Sequence, residues 1–392
     1  MDDLSTFAEK LMSEKGVENY NLTLEGLVKK GENYLGEVLF FNILPKNGDK
    51  PLHFVRKKAK FVNNTEEREC IRKVYQRESY MYKFVFPALK DFTNRQRIKS
   101  TLFFSPKVYS IHEEENQEML IFENMKYSGY QLLDKKLPMD KDRVSLVLET
   151  YAKFHSLSFA MSELEPETFK DLTENMTDVW GKFKLILDAS NYFGALLKDV
   201  VSKHDEDNNS NLMLKYKPII DDIENVVYVE VDECDRLVIC HGDSWSNNML
   251  FKDNEEKAPQ SVCLIDFQMS SMSTPALDLS HYLLSTGDKE VLYNIEEYLK
   301  LYHDFLSDSL KLFKIDVDKV FSYEKLMKHW RKYGKTGLVI AVSNIQMSLA
   351  ELEEIPDELN SIIHTNTSEM RNADLFNKRI GDLLISFAEK FL

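Results

Sequence analysis

The chain lacks any apolar run approaching the ~20 residues needed to span a bilayer, so membrane insertion is not expected. Its first residues, MDDLSTFAEKLMSEKGV, have neither the basic start nor the apolar centre of an export signal and read as a short acidic helix. Cysteine is scarce. The four, Cys70, Cys234, Cys240 and Cys263, show no CxxC spacing, which argues against a disulfide framework and fits reduced thiols in a cytoplasmic protein. Positive charge is in deficit: 65 acidic against 50 basic residues give a net charge of −15. Such a field repels nucleic acid and anionic surfaces, so any phosphate must be held by local cations. No internal repeat is visible. What remains is an ordinary globular balance, 43% hydrophobic and 29% charged over 392 residues, enough for a sizeable core.

Along the chain, NLTLEGLVKKGENYLGEVLFFNIL alternates and carries Gly31 and Gly36, which predicts two strands joined by a glycine-containing turn. KPLHFVRKK reads as a further strand, and EERECIRKVYQRESYMYKFVFPAL as a long helix closing near Pro87. SPKVYSIHEEENQEMLIFENM predicts two strands around an acidic turn. From about residue 140 the period becomes helical, with Leu148, Tyr151, Ala152, His155 and Phe159 on one face. Two short apolar segments interrupt it, DRLVICHGDSWSNNMLF and SVCLIDFQM, each ending in polar residues. KHDEDNNSN (203–211) and ELEEIPDELN (351–360) read as polar loops. The outline is α+β and bilobal: a strand-rich lobe over 1–124 and a mainly helical one over 125–392, together one domain.

The polar cluster after VIC needs an explanation, because polar side chains at the end of a buried strand need partners. Asp243 and Asn248 are five positions apart in HGDSWSNN, and Asp266 comes 18 positions after Asn248, in LIDFQ. That is the spacing of the protein-kinase template, H-x-D-x-x-x-x-N and then an Asp at the next strand end. Phosphoryl transfer uses these residue types. One carboxylate, Asp243, orients the attacking hydroxyl and finally takes its proton. An amide oxygen and a second carboxylate, Asn248 and Asp266, suit Mg²⁺ held against the phosphates of ATP. An ATP site predicts a strand lysine paired with a helix glutamate, and Lys57 and Glu78 fit, with Lys58 as the rival for Lys57 because register decides. Gly31, Asn33 and Tyr34 form the expected turn over the phosphates, although no GxGxxG is present. Glu123 and Met125, in LIFENM, end a strand where the lobes meet; the segment reads either as backbone pairing with adenine or as plain core.

These stretches, HGDSWSNNMLF, LIDFQ with PALDLSHYL after it, YQRESYMYKFVFPAL, LIFENM and GENYLGEVLF, together resemble the ecdysteroid-kinase-like (CHK-kinase-like) family of arthropod small-molecule kinases. The resemblance runs from about residue 20 to 380. It implies a protein-kinase-like fold and ATP-dependent phosphorylation of a small-molecule hydroxyl, with ecdysteroids or plant toxins and other xenobiotic alcohols as acceptors, the latter a detoxification role. It also implies that Asp278 braces the catalytic loop through backbone N–H bonds. Two departures stand out: Gly36 occupies a position where the family usually has Ser, and VRKK replaces a cleaner apolar-Lys pattern.

Asp278 comes only 12 positions after Asp266, and no A-P-E motif intervenes. That leaves no room for a peptide platform, so a protein substrate is not expected. Trp245 beside Asp243 reads as an apolar wall for the acceptor or as an anchor for the loop. Asp278 opens a helix and is a candidate for its cap. His241 reads as support, and His155 as a satisfied core histidine. The helix around GLVIAVSNIQM lines either the acceptor pocket or ordinary core. Two rival functions stay open. A choline- or ethanolamine-type kinase would need an aromatic cage near acids. A small-molecule-binding pseudokinase would lack the base or a metal ligand, and all three are present.

Overall fold

A computed structural model describes residues 2–27, 35–99, 105–176, 179–185, 188, 190–208, 211–232, 236–354 and 367–392. Gly31, Asn33 and Tyr34 lie outside the described residues, as do Cys234 and most of 351–360.

The alternating segments form β1 (Tyr20–Leu27), β2 (Gly36–Pro45), β3 (Leu52–Ala59), β4 (Val108–His112) and β5 (Met119–Glu123). They pair antiparallel in the order β1-β2-β3-β5-β4. The two-residue period then sorts side chains between faces. Met119 and Ile121 join Phe41, Ile43 and Phe54 under helix α1 (Asp2–Glu14), which contributes Leu4, Phe7, Ala8 and Met12. Leu120 and Phe122 turn the other way, into the main core with Ile71, Val74 and Tyr75 of α2 (Thr65–Tyr80). Asn64 caps α2, accepting the N–H of Glu67 at 2.9 Å.

The expected stop near Pro87 is corrected. The helix runs from α2 through a π-turn, Met81–Val85, into α3 (Phe86–Arg95). The π-turn takes up one extra residue, and the N–H of Phe86 reaches the carbonyl of Met81. Pro87 therefore enters at the start of a new turn, where its missing N–H costs no hydrogen bond.

The remainder is mainly helical: α4 (Lys141–Leu164), α5 (Ala195–Asn208), α6 (Pro275–Thr286), α7 (Ile295–Lys311), α8 (Tyr323–Leu349) and α9 (Ala373–Phe391). α4 packs on α7, and α8 on α6 and α9. Residues 203–208, read from sequence as loop, continue α5. The reason is tertiary, for the buried ring of His204 lies 2.9 Å from the carbonyl of Asn377 on α9.

Two small antiparallel sheets sit among the helices. β6 (Gln131–Leu132), β8 (Met249–Asp253) and β9 (Pro259–Leu264) form one, in the order β6-β8-β9. β7 (Val238–Cys240) and β10 (Ser271–Ser273) form the other. The polar clusters of the sequence come directly after β7 and β9. Among the described residues no helix is long and apolar enough to cross a membrane.

Candidate active site

The loop after β7 is shaped by a glycine. Gly242 has φ +82, and a Cβ there would stand 2.1 Å from the carbonyl oxygen of Met269, so only glycine fits. His241 beside it is buried, accepts the N–H of Asp243 at Nδ1 (3.2 Å) and donates from Nε2 to the carbonyl of Ile265 (2.9 Å). It is thus the Nε2–H tautomer, and burial lowers its pKa. Asp243 and Asn248 close the loop on themselves: the Asn248 amide N–H donates to the Asp243 carbonyl at 2.9 Å and to its carboxylate at 2.8 Å. The remaining polar atom of Asn248 is its carbonyl oxygen, an acceptor. The N–H of Ile265 reaches the backbone carbonyl of Asn248 at 3.0 Å, which sets Asp266 next to it.

Asp266 itself takes a left-handed backbone, φ 66 and ψ 66, unusual for a residue with a Cβ and a mark of imposed geometry. Its carboxylate accepts from Lys57 at 2.6 Å, and Lys57 also reaches Glu78 at 2.7 Å and Gln268 at 3.1 Å. Strand alternation decides the register. Lys57 pairs with Leu120 and faces the main core, while Lys58 pairs with Met119 and meets Asp3 of α1 on the other face. Burial alone would depress the Lys57 amine; Asp266 and Glu78 outweigh it and raise its pKa. Burial, opposed by Lys57 and reinforced by Asp266, pushes Glu78 up to about 7. Burial likewise pushes Asp243 up to about 7, with the charge of Asp266 adding to it.

Helix α6 holds the loop from behind. Thr274, not Asp278, caps it, with Pro275 in the first turn. Asp278 lies one turn inside, and its carboxylate is aimed at the loop instead. It accepts the N–H groups of His241 (2.7 Å) and Gly242 (2.9 Å), the Ser244 hydroxyl (2.9 Å) and His155 Nε2–H (3.1 Å). Burial would raise this carboxyl, but the bonds from His155 and Gly242 overcome it and hold Asp278 well below the usual range. His155 is fully buried and takes the Tyr302 hydroxyl at its other nitrogen, 2.8 Å away.

In front of the loop opens a cavity of about 1070 Å³. Asp243, Asn248, Asp266 and Gln268 line it together with the aromatic side chains of Trp180, Tyr192, Phe193 and Tyr228. Trp245 lines it too and is only 9% exposed, so it is both wall and packed side chain. One face of α8, Gly337, Ile340, Ser343, Asn344 and Met347, forms a wall, while Leu338, Val339, Ala341 and Val342 pack into the core. Glu123 and Met125 are outside this lining. Glu123 ends β5 opposite Phe54, and Met125 begins a short 3-10 turn capped by Asn124.

Several residues at the site were not singled out from sequence. Gln268, two residues after Asp266, completes the shell around Lys57. His281, one turn after Asp278, accepts the N–H of Ser244 at 3.2 Å, contacts Asn344 at 2.7 Å and approaches Asp243 to 4.0 Å. Gly36 also gains a reason: a Cβ there would meet the Tyr75 hydroxyl at 2.1 Å and the Lys58 carbonyl oxygen at 2.4 Å. Spacing to Asp278 would have flagged His281, but nothing local flags the rest.

The fold is α+β, an antiparallel sheet followed by a mainly helical part. The chain belongs to the ecdysteroid kinase-like family, whose model matches residues 30–315, and its class is small-molecule kinase. Among solved structures it is similar to an ethanolamine kinase of Plasmodium vivax (13% identity, 96% of this chain and 85% of that one covered, TM-score 0.42). It is also similar to an aminoglycoside phosphotransferase in complex with GDP and kanamycin (15% identity, 98% and 99% covered, TM-score 0.43). A glucosamine kinase is similar at 9% identity, with 96% and 95% covered and a TM-score of 0.32. No curated protein sequence matches the chain.

Proposed function

We propose that this protein transfers the γ-phosphoryl group of ATP to a hydroxyl of an uncharged, lipophilic small molecule, an ecdysteroid or a xenobiotic such as a plant toxin. The observation that carries the reading is that Asp243, its partner Asn248 and the Lys57-bound Asp266 line one cavity of about 1070 Å³ together with several aromatic side chains. Asp243 accepts a hydrogen bond from the acceptor's hydroxyl and orients its oxygen toward the γ-phosphorus. As the new O–P bond forms, the bond from phosphorus to the bridging oxygen breaks and its electron pair leaves with ADP. The hydroxyl proton passes late to the Asp243 carboxylate, since an aliphatic alcohol is too weak an acid to ionise first. Lys57, held by Glu78, offsets phosphate charge. The carbonyl oxygen of Asn248 and the second carboxylate oxygen of Asp266 are an all-oxygen donor set that suits Mg²⁺. That ion, when bound with ATP, neutralises charge on the phosphates.

The reading treats residues 1–124 as the nucleotide lobe and 125–392 as the acceptor lobe, with Glu123 and Met125 at the junction offering backbone groups to adenine. The turn carrying Gly31, Asn33 and Tyr34 would cover the phosphates. Cytoplasmic ATP and the buried thiols of Cys70, Cys240 and Cys263 support a cytoplasmic site of action.

A choline- or ethanolamine-type activity is the second reading. It is favoured by Trp180, stacked on Phe183 and tilted against Tyr228 in a lining that also holds Glu230 and Asp232, since an aromatic group beside acids suits a quaternary ammonium. Those two acids are exposed, however, and the carboxylates deeper in the lining, Asp243, Asp266 and Asp278, are already engaged by Asn248, Lys57 and the loop N–H groups.

The test is phosphate transfer from labelled ATP across ecdysteroids, plant phenolics, glycosides and choline. Transfer to an ecdysteroid or phenolic is expected, and transfer to choline alone would replace this reading with the second. Asp243→Asn is expected to lose turnover by at least about 100-fold while retaining ATP binding. Wild-type turnover in that variant would remove Asp243 from the chemistry. Heat stabilisation by Mg·ATP and ligand without any ADP release would instead indicate an inactive binding protein.

A further inference from the structure

His281 occupies a position that the phosphotransfer scheme leaves unexplained. It lies on α6 one turn beyond Asp278, so both face the catalytic loop. Its ring is buried and its Nδ1 faces the backbone N–H of Ser244 at 3.2 Å, which can only donate. A neutral imidazole has one accepting and one donating nitrogen, so the ring proton sits on Nε2. Burial favours this neutral form, lowering His281 to about 4. Nε2–H stands 2.7 Å from the side-chain amide of Asn344 and 4.0 Å from Asp243. The structure places the Asn344 amide nitrogen at this contact; two donors cannot face each other, so we assign the amide in the reversed orientation, with its oxygen on Nε2–H. The NH₂ of Asn344 is then turned elsewhere, and Asn344 lines the same cavity as Asp243.

We propose that Asn344 binds the acceptor's reacting oxygen, its NH₂ donating to that oxygen while Asp243 accepts the hydroxyl proton, and that His281 is the positioning residue that fixes the amide. The inference rests on the phosphotransfer reading. It gives the hydroxyl both of its hydrogen bonds, one to each side, and so leaves one lone pair directed for attack. Neither group works alone: Asp243 sets where the proton goes, and Asn344 sets where the oxygen stands. The amide is carried on the α8 face that also bears Ile340, Ser343 and Met347, so the wall that selects the acceptor's body also grips its reacting atom.

The experiment compares wild type with Asn344→Leu and Asn344→Asp, using an acceptor the panel shows to be phosphorylated and Mg·ATP. Wild type that phosphorylates no member of the panel would sink the phosphotransfer reading itself, a failure distinct from those of the variants. Asn344→Leu is expected to lower kcat/KM for the acceptor by about 100-fold and leave KM for ATP within about twofold. Asn344→Asp still takes the His281 proton but offers no donor when ionised. It should be impaired at neutral pH and recover relative to wild type as pH falls and its carboxyl gains an O–H. If Asn344→Asp keeps wild-type kcat/KM at neutral pH, or if Asn344→Leu changes KM for ATP as much as that for the acceptor, the amide serves only packing and the proposal fails.

Discussion

Two neighbouring lysines differ by one position and by everything else. Lys57 sits between Glu78 and Asp266 in the interior, while Lys58 makes a partly exposed pair with Asp3. The sequence left them as rivals because VRKK has no apolar alternation to fix its register; the sheet supplies it, by pairing β3 with β5. Removing the buried cation should be costly in a pH-dependent way. Glu78 has its pKa raised to about 7, so the folded state holds a proton on it more readily than the unfolded chain. Its contribution to stability is therefore present at low pH and is lost as pH rises from the usual carboxylate range through about 7. Lys57→Met removes the charge that opposes this loss. It should cost about 3–5 kcal/mol at pH 8 and clearly less at pH 6, read by thermal melting. Equal costs at the two pH values would show that Glu78 does not titrate in this window. That Asp243, Asn248 and Asp266 come together was legible, because their types and spacing fit a phosphate-chemistry template. Gln268 and Asn344 were not, for their placement depends on helices and strands packing across long separations in the chain, and His281 was signalled only by its spacing from Asp278.

Among the elements, α6 does most to shape the site. Thr274 starts the helix, which places Asp278 and His281 on the face toward the loop, where together they take the N–H groups of His241, Gly242 and Ser244. Asp278→Asn keeps the shape but turns one acceptor into a donor among groups that donate. A loss of about 3–5 kcal/mol is expected, visible as a melting point lower by roughly 5 °C and as reduced turnover with any acceptor. An unchanged melting point would mean the loop holds its form without the brace. Element positions were readable from periodicity for the sheet and for α4. The two misreadings share a cause: proline and polar residues were taken to end helices, and each was overruled by something non-local in sequence. A π-turn admits Pro87, and the docking of His204 on α9 carries α5 into its polar stretch.

At the scale of the molecule, α+β order and the strand-to-helix change were legible from hydrophobic period alone, whereas the cavity was not, because a void has no sequence signature. The charge of −15 was plain from composition. Self-repulsion of that size should make the fold firmer as salt screens it. Raising ionic strength from roughly 0.01 M to 0.15 M shortens the screening length from about 30 Å to 8 Å, and the melting temperature is expected to rise by a few degrees. A fall would show that surface ion pairs outweigh the repulsion. One close approach sets how this architecture can vary. A Cβ on Gly337 would stand 2.3 Å from the hydroxyl oxygen of Ser280, so α8 and α6 touch almost backbone to backbone. The helix that braces the loop after β7 and the helix that walls the cavity are packed with no room between them. On the proposed function, a different acceptor would then be admitted by exchanging Ile340 or Met347, which line the cavity, and not by sliding the helices apart.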